Sequence, residues 1–399
     1  MSKKALKSQE LSFFLSRKTA EVCIGEGRAV PGDLFGIEVE CEGINVNSVK
    51  GEAPPGWVPI KDGSLRNNPG PPEEWIFNGP VPHDAAVKRV EELFDFFVKK
   101  KAVLRPSNRT SVHVHYNMGD KAVYQTFNLY IIFTILEGLL DRFCGEDRNG
   151  NLFCLSSRHA EEQLRWVQAS LEEGGFANIR GDLRYCSLNL ASLNKFCSVE
   201  FRGMRGVDNR EDLLAWLGIL KELTDYGCWK MGSPSGLIEK LSHEGPEAFL
   251  RGIFSPGTVA LITDGLSPDE IAASLYEGLR LVQPLSYEIG RHFDKVRLNT
   301  PDFWAAEGAK RGVRAKKDKL DQIDDFFALR PPERGVQAVI DPVPAQWVWD
   351  APAAPDIAPA PRPNRARLER EEIERRRRIH EEIARNVNLA AAAERFQND

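Results

Sequence analysis

The chain has 399 residues, 42% hydrophobic and 28% charged, with a formal net charge of −5. That length supports one large buried core plus appendages, and the acidic balance gives no electrostatic case for nucleic acid or a membrane surface as partner. The seven cysteines (Cys23, Cys41, Cys144, Cys154, Cys186, Cys197 and Cys228) are dispersed, odd in number and free of any Cys-x-x-Cys pair, which excludes a disulfide framework in favour of reduced thiols.

In chain order, residues 1–33 read as a polar leader closing on Pro31-Gly32. Its apolar run, 11–15, is too short for a signal peptide. Strands are expected over 34–45, 57–62, 73–80, 103–106, 110–118, 184–191 and 197–204. A helix is expected over 84–100, with Asp84 as N-cap and Val87, Val90, Phe94 and Phe97 on one face. The next spans 123–143; its apolar stretch contains Glu137 and Asp141 and reads as a buried helix, not a membrane span. Another covers 158–173, with a Leu164, Val167, Leu171 stripe and Gly174 as stop. A fourth covers 210–226 and ends at Gly227. Strands and helices do not alternate strictly, so the fold class is α+β with an antiparallel sheet. Beyond 230 the chain reads helical: Ser267-Pro268-Asp269-Glu270 is an N-cap, a first-turn proline and two first-turn acids. The expected domains are the core at 34–230, a helical extension packed on it at 231–330, a linker at 331–364 and a charged helical tail at 365–399. The linker holds nine prolines and is extended and semi-rigid; Trp347 and Trp349 within it dock on the body or on a partner. In the tail, Glu371–Arg375, Glu372–Arg376 and Glu374–Arg378 are i,i+4 pairs worth roughly 0.2–0.5 kcal/mol each. Ile379, Ile383 and Val387 form a thin apolar stripe. The tail is either a solvated helix or a docking helix for a protein partner or a second copy.

Three segments alternate apolar and ionisable residues: Gly36-Ile37-Glu38-Val39-Glu40-Cys41, Ser111-Val112-His113-Val114-His115-Tyr116 and Ser198-Val199-Glu200-Phe201-Arg202. In a strand, residues i and i+2 share a face. Glu38 with Glu40, His113 with His115, and Glu200 with Arg202 therefore stand on wet faces, while the aliphatic and aromatic residues point into a core. Two carboxylates about 4 Å apart repel by roughly 4 kcal/mol at an effective dielectric near 20, so one takes a proton or a cation sits between them. Carboxylates with one or two imidazoles suit Mg²⁺ or Mn²⁺; no third nitrogen or sulfur ligand at zinc spacing accompanies the His-x-His pair. Asp62-Gly63-Ser64-Leu65 reads as a turn presenting an acid and a hydroxyl, and Glu74, or its neighbour Glu73, opens a strand with a carboxylate.

The order Gly-x-Glu-x-Glu, Asp-Gly-Ser-Leu, Glu-Trp-Ile, Ser-x-His-x-His, Val-Glu-Phe-Arg over residues 34–230 resembles the amidoligases, a bacterial and phage branch of the glutamine-synthetase-like carboxylate–amine ligases. The resemblance implies a glutamine-synthetase-like antiparallel cup and an ATP- and Mg²⁺- (or Mn²⁺-) dependent ligase that forms an amide through an acyl phosphate. It implies Glu38, Glu40, Glu74, His113 and Glu200 as metal ligands, His115 as a phosphate-facing neighbour, and Arg202 as the grip on the transferring phosphoryl group; of these, Arg202, His115 and Glu40 form the catalytic set. Arg184 and Asn189, on the preceding strand, would line the nucleotide side with His115 and Arg202. Asp62, Ser64 and Arg148 would face substrate, though Arg148, in the loop 147–151, reads equally as a surface charge. The substrates would be a carboxylate and an amine, glutamate-like or peptide, and the location cytoplasmic, in a bacterial cell or in the host of a phage. No P-loop, GxGxxG or nucleophile elbow is present. The alternatives are an assembly-associated binding protein with an idle site on the same fold, and a metal-dependent hydrolase using the same carboxylates.

Overall fold

The structure is a computed structural model and describes residues 8–23, 30–48, 52–145, 148, 150–176 and 181–290. The chain divides into units Met1–Lys316 and Lys317–Asp399. All described residues belong to the first. The linker with Trp347 and Trp349, the charged tail, and the helical extension beyond 290 lie outside them.

The core of the unit is a sheet of β1 (Leu34–Cys41), β3 (Trp57–Ile60), β4 (Glu73–Phe77), β5 (Val81–Pro82), β7 (Val112–Asn117), β8 (Leu188–Asn189) and β9 (Ser198–Phe201). Its order is β3-β4-β1-β7-β9-β8, with β5 pairing the start of β1, and these neighbours run antiparallel. A separate ribbon joins β2 (Gly43–Ile44) to β6 (Val103–Leu104). One face of the sheet is apolar because alternate residues are: Phe35, Ile37, Val39, Val112, Val114, Val199 and Phe201 are all essentially buried. The fold is therefore mixed α and β around a mostly antiparallel sheet, as the irregular order of elements implies.

Helices cover the apolar face. In α3 (His83–Lys99), Ala86, Val90, Leu93, Phe94 and Phe97 are the buried stripe. Asp84 is not its N-cap: Pro82 holds that position, and Asp84 lies in the first turn with its side chain exposed. The 22-residue α4 (Val123–Cys144) is long and apolar enough to cross a membrane by length and composition, yet 89% of its most apolar window is buried inside the protein. Its Phe133 packs on Phe201 of the sheet at 5.6 Å between ring centroids. α5 (Glu161–Glu173) stops at Gly174, whose φ of 66° is the left-handed conformation a helix C-terminus favours. α7 (Arg210–Asp225) is capped by Asn209, which accepts from the Asp212 amide at 2.9 Å. It runs past Gly227 into a π-helical turn, Tyr226–Lys230.

Three further helices, α8 (Pro234–Ile253), α9 (Pro256–Ile262) and α10 (Pro268–Gly290), contribute to the same core. Ser267 caps α10 in a capping box: the Glu270 carboxylate accepts from the Ser267 amide at 2.8 Å, and the Ser267 hydroxyl accepts from the Glu270 amide at 3.3 Å. α10 crosses α4 at Gly278, where a Cβ would fall 2.4 Å from the Thr134 carbonyl oxygen and 2.7 Å from Ile135 Cα. Only glycine permits that approach.

Two further expectations fail. The supposed polar leader contains α1 (Ser8–Ser16), whose Leu11, Phe14 and Leu15 are buried. Phe14 meets Phe127 and Phe176 at 6.4 and 6.0 Å. A short α2 (Thr19–Val22) follows. The expected strand 184–191 is a 3-10 helix, Gly181–Tyr185, followed by the two residues of β8.

One buried acid gives the core a pH dependence. Glu137 of α4 is pushed up to about 8 by burial and by the charge of Asp141, against hydrogen bonds from Ser187 and from the Ser157 amide. An unfolded Glu titrates near ~4.3, so the folded state binds this proton more tightly and stability falls as pH rises from there through about 8. Glu137→Gln should match the wild-type melting temperature at pH 5 and exceed it at pH 8.5, with EDTA present. Calorimetry giving parallel pH profiles for the two proteins would refute the assignment.

Candidate metal centre

Strand register builds the polar face. Glu38 lies opposite His113 on one side and Ile76 on the other, and Glu40 lies opposite Glu74. His115 lies opposite Glu200, and Glu200 opposite Asn189. Arg202 follows β9 in the same phase, its amide held by the Ser187 carbonyl at 2.7 Å. The residues that alternate with these fill the core, so the face cannot turn over without inverting the sheet.

Glu38, His113 and Glu200 each present a ligand atom within 4.8 Å of the others, the arrangement of a site that could hold a metal ion. His113 Nδ1 stands 3.0 Å from Glu38 Oε2 and 3.5 Å from Glu200 Oε1. His115 Nε2 reaches Glu38 Oε1 at 3.3 Å, and its Nδ1 meets Ser198 Oγ at 3.1 Å. Asn189 donates to Glu200 Oε2 at 2.6 Å. Arg202 pairs with Glu200 Oε1, and its Nε donates to the Phe153 carbonyl at 3.3 Å. The set of one imidazole and two carboxylates fits a hard divalent cation such as Mg²⁺ or Mn²⁺.

The charges divide the face into two halves. Burial opposes ionisation of Glu38, but hydrogen bonds from His113 and His115 outweigh it and hold the carboxyl below its usual range. Glu200 is likewise held down, burial being overcome by His115, His113 and Arg202. Burial lowers the proton affinity of His115, yet the Glu38 hydrogen bond and the Glu200 charge raise it above the usual value. In the other half cationic neighbours do not outweigh burial. Burial pushes Glu40 up despite His113 and Ser111, with Asp62 adding to the rise. Glu74 is pushed up to about 8 by burial, Glu38, Glu40 and Asp62. Uncompensated carboxylates of this kind attract protons or a further cation.

The remaining expected residues separate. Asp62 shapes a turn, its two oxygens accepting from the Ser64 amide at 2.7 Å and hydroxyl at 2.8 Å; its charge acts on Glu40 and Glu74. Arg148 does not face the cup: it is buried and donates to the main-chain carbonyls of Gly203 and Arg202 at 3.2 and 3.0 Å, bracing the end of β9. Arg184 is exposed in the 3-10 helix, 4.6 Å over the Tyr185 ring, and is off the strand where it was expected.

Beside Glu38 and His115 opens a cavity of about 350 Å³. Its walls include Leu34, Ile76, Phe77 and Phe196, with Lys195 and Asn78 at polar positions. Val30 contributes to another wall, fixed by Asn117, which donates to the Val30 carbonyl at 2.6 Å. Fully buried Lys121 secures the same strap, donating to the Gly32 carbonyl at 2.9 Å and pairing with Asp33 at 3.0 Å and Asp120 at 2.8 Å. Sequence reasoning missed Ser198, the cavity residues and the function of Ser111. Ser111 and Ser198 both carried a signal, Ser111 sharing the two-residue phase of His113 and His115 and Ser198 that of Glu200 and Arg202. No protein-family model and no curated protein matches the chain.

A cation bound by Glu38, His113 and Glu200 stabilises the folded state, by ~2.7 kcal/mol at a hundredfold excess over Kd. Added Mn²⁺ should therefore raise the melting temperature of the wild type and leave Glu200→Gln almost unmoved. An equal rise in both proteins would remove Glu200 from the centre.

Proposed function

We propose that the chain is an ATP- and Mg²⁺-dependent carboxylate–amine ligase of the glutamine-synthetase-like, amidoligase type. The observation that carries this reading is the Glu38, His113, Glu200 group with Arg202 on Glu200, flanked on one side by Glu40 and Glu74 and on the other by the 350 Å³ cavity. That volume lies within the ~300–1,000 Å³ range of small-molecule pockets. In this reading the apolar cavity takes the nucleoside, which brings the phosphates to Glu38 and His115 at its polar edge.

A carboxylate is a poor acylating agent. Its oxygen attacks the γ-phosphorus and ADP leaves; an amine then attacks the acyl carbon and phosphate leaves. Bound divalent cations would supply charge neutralisation at the phosphate oxygens. The protein's own part is electrostatic and positional. Glu38, His113 and Glu200 would hold one cation, and Glu40 and Glu74 would offer a second position. Arg202, braced by the Phe153 carbonyl, presents its guanidinium to the equatorial oxygens of the group in flight. His115, its two nitrogens held by Glu38 and Ser198, brings positive charge to the phosphate side. Asp62 lies on the acidic side, where the acceptor would enter.

Glu40→Gln should abolish Mg²⁺-dependent ATP turnover, a loss of at least about a hundredfold on the scale of removing a group aimed at the transition state. The fold should survive, because a buried carboxylate under like-charge repulsion is replaced by a neutral amide. The reaction is tested by ADP release over a panel of carboxylates and amines. The ligase reading requires release that depends on both; ATP hydrolysis indifferent to either, or hydrolysis of an amide without ATP, would overturn it.

A further inference from the structure

The metal reading leaves one buried hydroxyl unassigned. Ser111 Oγ lies 2.6 Å from Glu40 Oε2 and 2.8 Å from His113 Nε2, and Ser111 and His113 are both buried. A hydroxyl has one proton to give. With a cation on Nδ1 the ring proton sits on Nε2, so Ser111 Oγ accepts from Nε2–H and donates its own proton to Glu40. The ring's other nitrogen, Nδ1, is the one turned to Glu38 at 3.0 Å and Glu200 at 3.5 Å.

We infer that Ser111 is a positioning residue of the metal centre: its hydroxyl accepts from His113 Nε2–H, holds the ring with Nδ1 toward the Glu38–Glu200 pair, and ties this ligand to Glu40 in the acidic half. The inference rests on the metal reading of the site. A metal-bound imidazole takes its tautomer and orientation from the partner of its other nitrogen, and loss of such a partner typically costs about 10–100-fold in affinity. Here the partner is also shared. The order Nε2–H to Oγ–H to Glu40 makes one continuous chain, so the two halves of the face are joined by a hydrogen bond and not by charge alone. Removing the hydroxyl leaves Nε2 without its acceptor in a buried place and frees the ring to present either nitrogen.

The test uses the full chain and Mn²⁺ alone as probe, titrated by electron paramagnetic resonance. Ser111→Ala should weaken Mn²⁺ binding about tenfold or more, and Ser111→Thr, which restores the hydroxyl, should return most of it. In the Mg²⁺-loaded wild type with ¹⁵N-labelled histidine, the His113 Nε2–H proton should show the downfield shift of a hydrogen bond to Oγ, which Ser111→Thr keeps and a space-filling serine would not set. Wild-type affinity in Ser111→Ala, or a wild-type Nε2–H without the hydrogen-bond shift, overturns the role of Ser111 while leaving the metal centre standing. A wild type that binds neither ion, or a loaded wild type with its proton on Nδ1, overturns both together. If Ser111→Ala does not fold, the Nε2–H shift in the wild type and in Ser111→Thr decides.

Discussion

The pairing register of β1 with β4 and β7 is the constraint on which the rest depends. It sets Glu38 against His113 and Glu40 against Glu74. A slip of one residue would bury these ionisable groups and turn Ile37, Val39, Val112 and Val114 to water. Both faces oppose the slip. Each of those aliphatic side chains is worth roughly 1.5–3 kcal/mol when fully buried, and each ionised group costs several kcal/mol if buried unpaired. The same alternation that makes the sheet fold therefore assembles the polar face, and no loop has to close to bring Glu38, His113 and Glu200 together.

That face is not uniform. Around Glu38 and Glu200, two imidazoles and the Arg202 guanidinium balance the carboxylates, which stay ionised. Around Glu40 and Glu74 burial outweighs the help of His113, Ser111 and Arg202, and Asp62 adds a further negative charge. The balanced half adjoins the apolar cavity; the Asp62 charge acts on the unbalanced half. In the proposed reaction this asymmetry separates the nucleotide side from the acceptor side. The Ser111 hydrogen bonds span the boundary between them.

Much of this was legible in the sequence because period-two alternation reports directly which side chains share a face. Glu38, Glu40, His113, His115, Glu200 and Arg202 were found that way; the buried stripes of α3 and α5 followed from helical spacing, and the cap of α10 from its Ser-Pro-Asp-Glu start. What was not legible depends on partners distant in sequence. Arg148 looked like a loop charge open to substrate, yet carbonyls more than fifty residues away bind its guanidinium. Arg184 was placed on a strand because its neighbours are apolar, but the chain coils there and only Leu188–Asn189 pairs. The leader looked polar because Phe14 and Leu15 are few among many charges; α4 and Phe176 give them a surface that composition does not show. The cavity is formed by residues from separate strands and the α6 turn (Leu193–Phe196), and no local pattern announces it.

The central claim is that Glu38, His113 and Glu200 form a divalent-cation centre at the edge of a nucleotide cavity. It is tested most directly by a crystal structure of the full chain with Mn²⁺ and a non-hydrolysable ATP analogue, using the anomalous signal of manganese. The account predicts a manganese peak bounded by Glu38, His113 Nδ1 and Glu200, with the nucleoside between Leu34, Phe77 and Phe196. Manganese absent from those three side chains while the analogue binds elsewhere would contradict it.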